Sequence, residues 1–172
     1  MKVLIVVDMQ NDFVDGVLES KEAVSMIETA VETINSFDGK VFYTQDTHGE
    51  DYLDTEEGRH LPVVHCIKGS EGWKIHPKIE KALLLKGATG IEKSTFGSEK
   101  LMGIIEKEVP DVESITLIGI CTDICVISNA MLAKAHFQNT PVSVISSACA
   151  GVTPESHENA LAAMKMCHIE IQ

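Results

Sequence analysis

SITLIGICTDICVISNAMLAKAHFQN, residues 114–139, changes its hydrophobic period midway. Ile115–Ile120 is a short apolar, β-branched run, whereas from Ile124 onward apolar residues recur at helical spacing. A buried strand therefore turns into a helix around Cys125. The first turn of a helix presents unpaired N–H groups and a partial positive charge, which favour a thiolate. A tight strand-to-helix turn also lifts one side chain to the top of a parallel sheet, the mechanics of a hydrolase nucleophile elbow, although the chain has no G-x-S-x-G. Cys125 is the candidate nucleophile on these grounds. The competing reading is a small buried hydrophobe, the usual fate of a free cysteine.

The same alternation extends outward on both sides. Val3–Val7 is an apolar run that stops at Asp8, as expected of a central strand, and MQNDFVDGVLES after it reads as a loop. Glu22–Phe37 carries Val24, Ile27, Val31 and Ile34 at helical spacing; Lys40–Gln45 is a second strand. Asp46–Pro77 has little periodicity, and a loop of that length in a compact domain is expected to work. Lys78–Leu85 is a short helix or turn, Gly87–Glu92 a weak strand, and Ser98 a cap for a helix over Glu99–Glu108 that Pro110 ends. Pro141–Ser146 is a strand, SSACAGVTPES a loop, Pro154–Met166 a helix and His168–Ile171 a last strand. Alternation of this kind implies right-handed βαβ units, here an α/β fold with a mostly parallel six-stranded sheet between two helical layers, a three-layer α/β/α sandwich forming one domain over residues 1–172. Asp8, Asp46, Lys93 and Cys125 all fall just past strand ends, where such sheets bind ligands, so the topology can gather them into one crevice.

Composition narrows the partners. The 14 Lys and Arg against 26 Asp and Glu give a net charge of −12, which argues against nucleic acid or an anionic membrane and for a small-molecule substrate. The apolar run in MKVLIVVDMQ is too short for a signal-peptide core or a membrane span. Five cysteines without framework spacing point to free thiols in a reducing compartment, the cytoplasm. Cys66, Cys149 and Cys167 lack an evident base and cation and read as buried; His136 and His157 read as surface or interface residues on helices. Met9, Met131, Met164 and Met166 read as core filler.

Four segments, VLIVVDMQNDFVDG, TQDTH, IEKSTFGS and GICTDICV, together resemble the isochorismatase-like cysteine hydrolase family, most closely its nicotinamidase and pyrazinamidase branch, in the right order across essentially the whole chain. The resemblance implies a triad of Asp8, Lys93 and Cys125. The chemistry agrees, since a thiol needs a base to take its proton and a fixed cation beside the thiolate. It also implies an oxyanion hole from the N–H groups of Cys121 and Cys125, with a cis peptide between Ile120 and Cys121. Asp46, His48 and His65 match a metal set suited to Zn²⁺, Fe²⁺ or Mn²⁺, with Glu57 or His60 as a fourth ligand. Phe13 matches the ring-contacting phenylalanine, and Gln10 the context around it. The chain departs from the pattern at Leu61–His65, where an aromatic residue is usual, and Trp73 or a neighbouring subunit is left to complete the ring pocket.

The activity so implied is hydrolysis of nicotinamide to nicotinate and ammonia through a thioester on Cys125, in a homodimer or homotetramer. Hydrolysis of an N-carbamoyl amide or ureidoacrylate, isochorismatase activity, and a catalytically silent binding module are the alternatives.

Overall fold

A computed structural model describes residues 1–172. The strands are β1 (Lys2–Val7), β2 (Lys40–Asp46), β3 (Thr89–Lys93), β4 (Ser114–Ile120), β5 (Val142–Ala150) and β6 (Glu170–Ile171). The helices are α1 (Asn11–Val14), α2 (Lys21–Ser36), α3 (Glu56–His60), α4 (Pro77–Leu85), α5 (Glu99–Glu108), α6 (Ile127–His136) and α7 (Pro154–Met166). A 3₁₀ turn spans Tyr52–Asp54 and a π-helical turn Thr122–Val126.

The sheet runs β3-β2-β1-β4-β5-β6 with every neighbour parallel. Two helix groups cover it, α1 and α4 packing with α2, and α5 and α7 with α6. The chain steps outward from β1 to β3, then returns to β4 beside β1 and steps out the other way. That reversal opens a crevice beyond the carboxyl ends of β1 and β4. Residues Val3 to Val7 are at most 1% exposed and belong to one apolar cluster of 41 residues, as a strand covered on both faces requires.

Gly119 sets how closely β4 lies against β1. Its φ is +134°, and a Cβ there would sit 2.1 Å from the Val7 carbonyl oxygen. Side-chain caps start the helices that follow: Ser20 accepts the Ala23 N–H at 3.0 Å, Ser98 that of Leu101 at 3.2 Å, and Thr153 and Ser156 form a capping box.

Several sequence expectations are corrected. The MQNDFVDG segment is not all loop, because Phe13 and Val14 turn into the core on α1. The buried face of α2 is Ala23, Met26, Ile27, Ala30 and Ile34, so Val24 is exposed. β5 continues through SSACA, since after a register shift Cys149 and Ala150 pair with Gly119 and Ile120. Cys167 and Met166 close α7 in solvent rather than in the core. His157 does not lie free on the surface but is half-buried, its Nδ1 2.8 Å from the Thr122 hydroxyl. No helix is long and apolar enough to cross a membrane.

Candidate active site

Three strand ends deliver three charged or ionisable groups to one point. Asp8 follows β1 with a φ of +46°, unusual for a residue bearing a Cβ, and its N–H donates to the Thr44 carbonyl at 3.2 Å. Thr44, fully buried on β2, donates its hydroxyl to Asp8 Oδ1 at 2.6 Å. Lys93, the last residue of β3, places Nζ 2.6 Å from Asp8 Oδ2, 3.3 Å from Asp46 Oδ1 and 3.6 Å from Cys125 Sγ. Asp8 is wholly buried, and Lys93 and Cys125 are each 6% exposed.

Burial governs the protonation of this group. It pushes the Asp8 carboxyl above its ordinary value of 3.8, more than the Lys93 ammonium draws it down. Burial pulls Lys93 down too, but the charges of Asp8, Cys125 and Asp46 outweigh it and hold the ammonium firmly protonated. The Cys125 thiol rises well above 9.0, by burial first and the Asp8 charge second. The sulfur sits in the π-helical turn ahead of α6, buried beside a carboxylate, and both push its thiol up, so that its proton needs a base.

The Ile120–Cys121 peptide is cis. The Cys121 carbonyl accepts both the Ile124 and the Val126 N–H, at 3.1 and 3.0 Å, which ties the turn closed and leaves the Cys121 N–H without a partner in the protein.

A second cluster adjoins the first through Asp46. One ligand atom each from Asp46, His48, Glu57 and His65 lies within 4.8 Å of the others. His48 Nε2 is 2.9 Å from Asp46 Oδ2, and His65 Nε2 is 3.6 Å from that oxygen and 3.9 Å from Glu57 Oε1. His65 Nδ1 is 2.7 Å from the Val63 carbonyl, the second contact that fixes a ring's tautomer and leaves Nε2 to face an ion. Two imidazoles and two carboxylates converging in this way fit a borderline divalent cation. Burial raises Asp46, yet hydrogen bonds from His48 and His65 overcome it and hold the carboxyl well below the usual range. Burial and the Asp46 charge push Glu57 up. Between the two candidates for a fourth ligand, Glu57 is in the cluster; His60 points its Nδ1 at the Glu56 carbonyl and is exposed.

Both clusters open into a cavity of about 790 Å³ whose walls include Phe13, Leu18, Phe96, Ile120 and Ile124. Phe13 stands edge-on to His65 with ring centroids 5.5 Å apart, consistent with a ring-contacting place. Gln10 and Trp73 do not line this cavity. Gln10 is fully buried and clamps Asp46, donating to its carbonyl at 2.8 Å and accepting its N–H at 2.7 Å. Trp73 donates its indole N–H to the Thr47 hydroxyl at 2.9 Å and faces a separate small cavity. Sequence reasoning missed Tyr52, a fully buried ring 4.7 Å from the His48 ring and 5.0 Å from that of His65, whose hydroxyl donates to the Leu61 carbonyl. An isolated aromatic residue in an aperiodic stretch carried no signal of that role.

The isochorismatase domain model matches residues 2–171. The nicotinamidase of Schizosaccharomyces pombe is 29% identical over 98% of this chain and 91% of its own length. Among solved structures, the nicotinamidase/pyrazinamidase of Bacillus subtilis superposes with a TM-score of 0.86 at 27% identity, covering 99% of this chain and 98% of that one. The pyrazinamidase of Pyrococcus horikoshii in complex with zinc gives 0.82 at 27% identity over 99% and 98%.

Proposed function

The chain belongs to the isochorismatase domain family, and from that premise we propose that it is a nicotinamidase that hydrolyses nicotinamide or pyrazinamide to the acid and ammonia. The observation that carries the reading is the Lys93 ammonium, 2.6 Å from the Asp8 carboxylate and 3.6 Å from the Cys125 sulfur.

Asp8 takes the thiol proton, and the sulfur lone pair attacks the carboxamide carbon while Lys93, protonated throughout, balances the negative charge. The N–H groups of Cys121 and Cys125 receive the developing oxyanion, a contribution of several kcal/mol where such donors are preorganised, roughly 3–4 per donor. Asp8 returns its proton to the departing nitrogen, giving ammonia and a thioester. It then draws a proton from water, whose oxygen attacks the thioester and frees the acid and the thiol. Asp46, His48, Glu57 and His65 would hold a divalent ion, zinc on this reading, which would supply a Lewis acid beside the substrate. Phe13 and Tyr52 both pack their rings against His65.

Charge at the cavity supports a neutral amide over the family's other substrates. Besides the ion's ligands Asp46 and Glu57, the acidic residues Glu19 and Glu56 line it and no Lys or Arg does; the single arginine, Arg59, donates to the Asp54 carbonyl. Ureidoacrylate and isochorismate carry carboxylates that this lining repels, and an acid product is repelled likewise. Five free cysteines suit the cytoplasm, and Leu84 and Leu85, 75% and 73% exposed, suit burial in a homodimer or homotetramer. Ammonia release measured on nicotinamide, pyrazinamide and ureidoacrylate tests the reading. Nicotinamide or pyrazinamide is expected to give the highest kcat/KM, and a preference for ureidoacrylate overturns it.

A further inference from the structure

Asn129, in the first turn of α6, is fully buried and spends its amide on two segments of the site. Its Nδ2 donates to the Cys125 carbonyl at 2.8 Å and to the Phe96 carbonyl at 3.1 Å, and its Oδ1 accepts the Ser98 N–H at 3.0 Å. Both amide protons are therefore used, and the carbonyl is paired. One partner lies on the turn that bears the sulfur. The other two lie on the short connection between Lys93 and α5, the segment that sets where β3 ends and that puts Phe96 in the cavity wall.

Packing alone does not demand an amide here. An aliphatic side chain of similar volume fills the same space but strands the Phe96 carbonyl and the Ser98 N–H, and relaxation of those groups moves the loop that follows Lys93. No other side chain bonds both the Cys125 turn and the Phe96–Ser98 loop. We infer that Asn129 is a positioning residue which fixes the Cys125 sulfur against the Lys93 ammonium, touching neither substrate nor reacting atoms. The inference rests on Cys125 as nucleophile and adds a residue that sets its register.

The test uses the full chain with N129A and N129T, reading kcat and KM for nicotinamide, the thermal transition, and the pH profile of Cys125 alkylation by iodoacetamide followed by mass spectrometry. In a cooperatively folded N129A, kcat is expected to fall about 10²-fold with KM changed by less than about threefold, the signature of misplaced reacting groups. The alkylation profile of Cys125 shifts with it, because a thiolate displaced from Lys93 loses its cation. Threonine can bond back to the Cys125 carbonyl four residues earlier but cannot span to the loop, so N129T is expected to lose activity by the same route and carries the test if N129A fails to fold. A folded variant whose kcat stays within about threefold of the wild type, or whose kcat falls while the alkylation profile is unmoved, overturns the inference. If the wild type releases ammonia from no amide, the functional reading fails, and the alkylation comparison still decides whether Asn129 positions the sulfur.

Discussion

The two polar clusters beneath the cavity meet at Asp46 but differ in what they offer. At Asp8, Lys93 and Cys125 the charges close on themselves, one carboxylate against one ammonium, with the thiol neutral at rest. At Asp46, His48, Glu57 and His65, two carboxylates and two imidazoles bring four ligand atoms within 4.8 Å of one another. The first set sits at the ends of β1 and β3 and on the π-helical turn after β4; the second draws three of its four members from the segment between β2 and α4. A carboxylate, ammonium and thiol can do proton transfer with their own atoms, whereas two imidazoles and two carboxylates offer the donor set of a divalent cation.

The largest test of that contrast falls on the first cluster. Cys125→Ala should lower ammonia release by about 10³-fold or more while leaving the fold intact, and Asp8→Asn should fall in the same range. Because Asp8 must be deprotonated to accept the thiol proton, and burial raises its carboxyl above 3.8, kcat/KM should decline with falling pH along a limb that lies above 3.8. A limb at or below that value breaks the assignment of Asp8 as base.

The second cluster should respond to ions rather than to pH alone. Zinc at a hundred times its dissociation constant should stabilise the wild type by about 2.7 kcal/mol. For a chain of this size that is roughly 5–10 °C in Tm by calorimetry. His65→Ala should abolish the rise, and an equal rise in that variant removes the cluster as the ion's site. The smallest effect is expected outside both clusters. Trp73→Phe should leave KM within about twofold and cost about 0.5–1.5 kcal/mol from the lost bond to Thr47. A large KM change in that variant restores Trp73 to the substrate pocket.

What the chain disclosed of itself follows the length scale of each feature. The strands were legible as apolar runs, and Ser98 as a cap, because those signals are local. The convergence of Asp8, Lys93 and Cys125 was legible because three motifs resemble one family in order. On α2, Ile27 and Ile34 were placed correctly and Val31 packs against the core, but Val24 was misplaced because small residues, Ala23 and Ala30, complete the buried face. Gln10 and Trp73 lie near the site in sequence, yet each turns its polar atoms to a backbone or hydroxyl partner instead of the cavity. Thr44, Tyr52 and Asn129 act by contacts 9 to 36 residues away, which no periodicity encodes. At Cys125, burial and the Asp8 charge push the thiol up, which leaves its proton to the base.

Gly119 carries a consequence for anyone who reshapes this protein. With the Val7 oxygen only 2.1 Å from where its first side-chain carbon would go, every other amino acid wedges β4 away from β1 and so widens the gap between Asp8 and the cysteine turn. That codon is best held constant in any library, since a single methyl placed there, on a residue with no chemistry of its own, disables the catalyst from behind.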